Sequence, residues 1–119
     1  MFIIIAILLA HFAADFFMQT DNMAKNKSTS IRWLSQHVLV YMLTITVLMG
    51  FFYTTVPYLF ISFVLINGAA HWCVDFVTSK ITKKLHEAGK IHEFFVVIGF
   101  DQFLHYVILF VSYAKIFNV

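Results

Sequence analysis

The sequence predicts an all-α membrane protein with four transmembrane helices, built as two repeated helical hairpins in a single domain over residues 1–119. Three observations carry this prediction. First, 61% of the residues are hydrophobic and 12% charged, roughly half the charge of an ordinary soluble domain. A core this small cannot bury that much apolar surface, whereas lipid covers it from outside. Second, the apolar residues fall into four runs separated by polar or turn-forming segments, and only helices satisfy their backbone within one hydrophobic run. Third, a histidine and an aspartate recur four residues apart inside those runs: His11 with Asp15, His71 with Asp75, and in reverse order Asp101 with His105. His37 stands alone in the remaining run.

The first helix is expected from Phe2 to Met18, opening directly on Phe-Ile-Ile-Ile without the basic leader of a signal peptide. Its alanines at 6, 10, 13 and 14 give small surfaces for close helix packing. A polar connector follows from Gln19, with turn and capping chemistry at Asp21, Asn22 and Ser28 to Ser30. The second helix runs from Ile31 to Tyr53, with Arg32 and Trp33 at the interface. Pro57 suits the first turn of the third helix, which continues from Tyr58 to Thr78. A basic, partly helical connector then runs from Lys80 to His92 and breaks at Gly89. The fourth helix occupies Glu93 to Phe117.

Seven of the eight lysines and arginines lie in or beside the two long connectors. The positive-inside rule therefore places connectors 19–32 and 79–92 in the cytoplasm and both termini outside, as expected for the inner membrane of a bacterium. The two halves parallel each other. His11, Asp15, a basic connector and His37 are followed, about 60 residues on, by His71, Asp75, a basic connector, Asp101 and His105. A net charge of +2 is too small to argue for nucleic acid, and one cysteine excludes an intramolecular disulfide.

Residues four apart on a helix share a face, so each pair presents two ligand-type groups in one direction. Counting 1.5 Å per residue from the connector ends puts Asp15, His37 and Asp75 about 6–8 Å deep, His11, His71 and Asp101 about 12–14 Å, and His105 about 18 Å. All seven fall in the connector-side half, or near the middle, of a bilayer core about 30 Å thick. His11, Asp15, His37, His71, Asp75, Asp101 and His105 are thus the predicted metal ligands. Zinc is the first choice, with manganese, iron and nickel as alternatives for imidazole and carboxylate donors. Seven groups suit two ions about 3.5–4 Å apart, or one ion with outer carboxylates that orient its histidines. The competing readings are a purely hydrogen-bonded bundle and a His/Asp proton relay. Metal is preferred because every aspartate inside a run has a histidine four residues away and every run contributes a histidine.

Gln19 and Asn67 extend the His/Asp faces as partners of the ligands, and Gln102 either bonds across helices or lies on another face. Trp33, Tyr41 and Tyr106 read as interface or packing aromatics, Cys73 as a small packing residue beside His71, and His86 and His92 as solvated. Lys80, Lys83 and Lys84 read as topology determinants that meet anionic headgroups.

Taken together, His11-xxx-Asp15-Phe-xx-Gln-Thr20, Met23-Ala-xx-Lys27, the lone His37, His71-xxx-Asp75 and Asp101-Gln-xx-His105 resemble a family of small bacterial and phage membrane proteins catalogued as a domain of unknown function, family 3307. The resemblance covers nearly the whole chain and implies a four-helix membrane fold but no activity. A looser similarity links the chain to membrane-bound metal-dependent hydrolases, whose Thr-His-Ser-type motif it lacks. The expected function is metal-dependent hydrolysis of a lipid or lipid-linked phosphate or ester, with Asp75 or Asp101 as general base. The partner is then membrane lipid. The alternative is a metal-ion or proton-coupled carrier, which would need to assemble as a homo-oligomer, or a small membrane component of a larger assembly.

Overall fold

Long runs of Ile, Leu and Phe have only their own backbone to bond with in an apolar surround. The computed structural model, which describes residues 2–119, is accordingly all-helical, with no strand among the described residues. Helix α1 (Phe2–Phe12) passes directly into a π-helical turn (Ala13–Phe17). A short α2 (Asp21–Asn26) leads into α3 (Ile31–Met49), which tightens into a 3-10 turn (Gly50–Tyr53). The long α4 (Pro57–Glu87) and α5 (Ile91–Phe117) complete the chain.

Three segments are long and apolar enough to cross a membrane: Ile31–Tyr53, Pro57–Glu87 and Ile91–Phe117. The first run, Phe2–Phe17, is apolar but falls below that length, so the expected four spans reduce to three of full length. The outer surface fits membrane association, with Phe17 and Phe51 each more than four-fifths exposed.

The boundaries follow local chemistry. The Thr20 hydroxyl accepts from the Met23 N–H at 3.3 Å and the Ser30 hydroxyl from the Trp33 N–H at 3.5 Å, capping α2 and α3. Pro57 occupies the first turn of α4, as expected. The expectation that this helix ends near Thr78 is corrected: it runs unbroken to Glu87. Residues 80–87 are mostly good helix formers without Gly or Pro, and Lys83 pairs with Glu87 one turn on. Gly89, at φ 70°, stops it where the sequence suggests. The connector after α1 is also less irregular than expected, since it folds into α2.

α4 packs most extensively on α5 and also against α3, while α1 lies on α3. Gly68 permits the α3–α4 approach, because a Cβ there would run into the Met42 side chain. At the end remote from the basic connectors, Tyr53 stacks on Phe60 with centroids 5.2 Å apart and meets Phe117 at 4.7 Å. This aromatic packing closes one end of the bundle and leaves the polar side chains gathered toward the other. Cys73 is exposed on the outside of α4, which corrects its reading as a packing residue.

Candidate metal centre

The i, i+4 spacing does locally what it predicts, and the packing of four helices brings all seven predicted side chains into one cluster. α1 and its π turn contribute His11 and Asp15, α3 His37, α4 His71 and Asp75, and α5 Asp101 and His105. His11 and His37 have no exposed surface, and Asp15, His71, Asp75 and His105 are each below 5%. The π turn, closed by the Met18 N–H to the Ala13 carbonyl at 2.9 Å, carries Asp15 inward. Such turns are frequent at functional sites.

Four ligand atoms converge at the centre. His37 Nε2 lies 3.1 Å from Asp15 Oδ1, 3.1 Å from His71 Nε2 and 3.3 Å from Asp75 Oδ2. His71 Nε2 lies 3.3 Å from Asp15 Oδ1 and 3.6 Å from Asp75 Oδ2. An ion 2.0–2.1 Å from each of four tetrahedral ligands separates those ligands by about 3.3–3.4 Å. Five of the six edges, 3.1 to 3.6 Å, bracket that spacing, and the sixth, between the two carboxylate oxygens, is within 4.8 Å. His37 Nε2 carries one proton or one lone pair and has three close neighbours, a crowding that a shared hydrogen bond or a bound cation satisfies.

Around this quartet the remaining groups are differently engaged. The Gln102 amide donates to Asp15 Oδ2 at 2.9 Å and to Asp101 Oδ2 at 3.1 Å. Its carbonyl therefore accepts from His11 Nε2–H at 3.1 Å, and His11 Nδ1 is left to accept the Tyr41 hydroxyl at 3.2 Å. Both nitrogens of His11 are thus satisfied. His105 differs: Nε2 lies 3.6 Å from Asp75 Oδ1 and Nδ1 3.4 Å from Asp101 Oδ2, with no hydrogen bond to either nitrogen. Tyr41 and His105 sandwich the His71 ring, each with a centroid 4.1 Å away. The Thr78 hydroxyl donates a short bond to Asp101 Oδ1. Three overlapping sets could hold a metal ion: Asp15, His37, His71 and Asp75; His11, Asp15 and His105; and Asp75, Asp101 and His105.

Sequence reasoning missed Lys27. Read only as a topology charge, it folds back so that Nζ donates to Asp75 Oδ2 at 2.8 Å. Burial alone would push its ammonium down, but Asp75 and then Asp15 outweigh that and hold it above the ordinary lysine range. No periodicity in the connector announces this contact. Tyr41 could have been found, since it stands four residues after His37, and Thr78 three after Asp75. Gln102 does bond across helices. Asn67 does not reach the ligands; it donates to the Phe63 carbonyl and to Ser112 Oγ, both at 2.8 Å. Gln19 lies in the wall of the cavity below without touching a ligand, its Oε1 buried and unpaired.

That cavity, of about 580 Å³, has Asp15, Asp75, Asp101 and Gln102 in its wall together with Lys25, Lys27, Lys83 and His86 from the connectors. The cluster is therefore reached from the basic end of the bundle. With the histidines neutral, as metal ligands are, three carboxylates against the Lys27 ammonium leave two negative charges, the complement of one divalent cation.

The model of a family described as "Protein of unknown function (DUF3307)" matches residues 3–119. No curated protein and no solved structure matches the chain.

Proposed function

Since the chain belongs to the DUF3307 family, whose description leaves function open, we propose a role from the cluster's own chemistry: a membrane-embedded metal protein that hydrolyses a lipid or lipid-linked phosphate or ester. Asp15, His37, His71 and Asp75 hold one divalent ion, zinc by donor type. The observation that supports this reading is the near-tetrahedral spacing of four buried ligand atoms beside a cavity open at one end. With four protein ligands the ion would be closed to water at rest, and it would supply Lewis acidity and a water acidified to near neutral pH only when a fifth position opens toward the cavity.

The other residues have roles that follow from their contacts. His11, tied to Gln102 and Tyr41, holds the α1 side of the quartet in register. Asp75 has one oxygen on Lys27 and the histidines and the other toward His105, so it is a ligand. Asp101 stands outside the quartet in the cavity wall and is the carboxylate that meets an incoming substrate or its attacking water. Entry from the basic end suits a headgroup-borne substrate. Aromatic packing at the opposite end favours a fixed site over a carrier, which needs access from both sides.

In this reading the first run is a fourth, short span. At 1.5 Å per residue Phe2–Phe17 covers about 24 Å, and bilayers thin locally around short segments. The two basic connectors lie in the cytoplasm and the termini outside.

Elemental analysis of the detergent-purified protein tests the site. At least one divalent transition-metal ion per chain is expected, lost in His37→Ala and His71→Ala. A stoichiometry near zero in wild-type protein prepared without chelator overturns it. Metal-loaded protein that turns over no member of a broad phospholipid and lipid-phosphate panel overturns the hydrolase.

A further inference from the structure

Resting on the quartet as the first site, we infer a second, weaker divalent-cation site formed by Asp75, Asp101 and His105, joined to the first through the two oxygens of Asp75. Asp75 Oδ2 belongs to the quartet, while Oδ1 faces His105 Nε2 at 3.6 Å. One ligand atom from each of the three residues lies within 4.8 Å of the others. A group of carboxylates alone means little, but His105 adds an independent observation. Its side chain is 3% exposed, it is aimed between two carboxylates, and neither ring nitrogen makes a hydrogen bond. His11, equally buried, has both nitrogens bonded. Buried polar atoms are ordinarily paired, and a cation bound to one nitrogen of this imidazole supplies a partner there while the other nitrogen, then carrying the proton, faces the second carboxylate.

The surroundings fit ligation. Thr78 fixes Asp101 through Oδ1 and Gln102 through Oδ2, and stacking on His71 fixes the His105 ring. Three protein ligands leave positions free, as in sites that take substrate, and Asp75 and Asp101 both line the cavity. Asp101 then meets the substrate as a cation ligand.

Charge sets the order of filling and the substrate class. One divalent ion with Lys27 balances the three carboxylates, and a second leaves two positive charges in a buried site. The second ion therefore binds more weakly and together with an anion. A phosphate group supplies that charge and a neutral carboxylic ester does not, so phosphate esters are the substrate class.

Co²⁺ titration of the full chain in detergent, cleared of resident metal, tests this by absorption and calorimetry, with and without inorganic phosphate. Two steps are expected, the second tightened by phosphate. His105→Ala and Asp101→Asn should each remove the second step and keep the first, whereas His37→Ala removes the first. A second step that survives both His105→Ala and Asp101→Asn overturns the assignment. One ion per chain with phosphate in excess overturns the second site and leaves the first, whether or not those variants fold. No step at all overturns both sites.

Discussion

The two basic connectors look alike in sequence and behave in opposite ways. The segment between α1 and α3 carries Lys25 and Lys27 and turns inward: α2 tucks beneath the bundle and places the Lys27 ammonium on Asp75. The segment after Thr78 carries Lys80, Lys83, Lys84 and Lys90 and continues outward as helix, its lysines half-exposed or exposed. Lysine count and spacing did not separate them. The difference lies in what each chain end can reach. The first connector leaves a π turn whose last buried residue is already the acidic Asp15, so a lysine within one short helix of it finds uncompensated carboxylates. The second starts from Ser79, on a helix with no reason to stop, and brings Lys83 and His86 to the cavity wall without an ion pair to the cluster.

This contrast can be broken or sharpened by substitution. The largest effect is expected for Lys27→Met in metal-free protein. Removing one partner of a part-buried ion pair costs up to about 3 kcal/mol, seen as a fall in thermal midpoint in detergent. Lys25→Met is the control, and equal shifts in the two would mean that Lys27 contributes nothing as a pair. Gly89→Ala should cost about 1 kcal/mol through the backbone alone, since an added Cβ meets nothing within 4 Å. Midpoints unchanged by that substitution would show that the left-handed stop after α4 is dispensable. Thr20→Ala, which removes the α2 cap, should also cost about 1 kcal/mol, and hydrogen exchange should quicken in residues 21–26 before anywhere else. Lys83→Gln and Lys84→Gln should stay within about 0.5 kcal/mol of wild type, because Lys83 has only an exposed partner at 3.8 Å. A large loss in either would place the second connector in the packed body after all.

The same contrast marks where reading the sequence stops. Helical class, the element order, Pro57 at a helix start and Gly89 at a helix end all follow from local rules. The gathering of His11, Asp15, His37, His71, Asp75, Asp101 and His105 was legible because i, i+4 spacing fixes a face and depth fixes a level. What was not legible depends on approach between segments. Lys27 acts across 48 positions and Gln102 across 87 to Asp15, and nothing local distinguishes either from a solvated side chain. The run of α4 past Thr78 escapes the sequence for another reason: lysines signal a membrane boundary, and a helix need not end at such a boundary. Cys73 lies outside because it stands two positions after His71, which on a helix turns it about 200° away, onto the opposite face.

The unbroken course of α4 has a mechanical corollary. At 1.5 Å per residue its 31 residues form a rod about 46 Å long, about half again the thickness of a bilayer's hydrocarbon core. His71 and Asp75 sit on its inner shaft, and Lys83, His86 and Glu87 at its outer tip. A tilt of the shaft by a few degrees reaches the tip undiminished, so a spectroscopic label at Glu87 would act as a pointer whose deflection registers what happens beneath the surface.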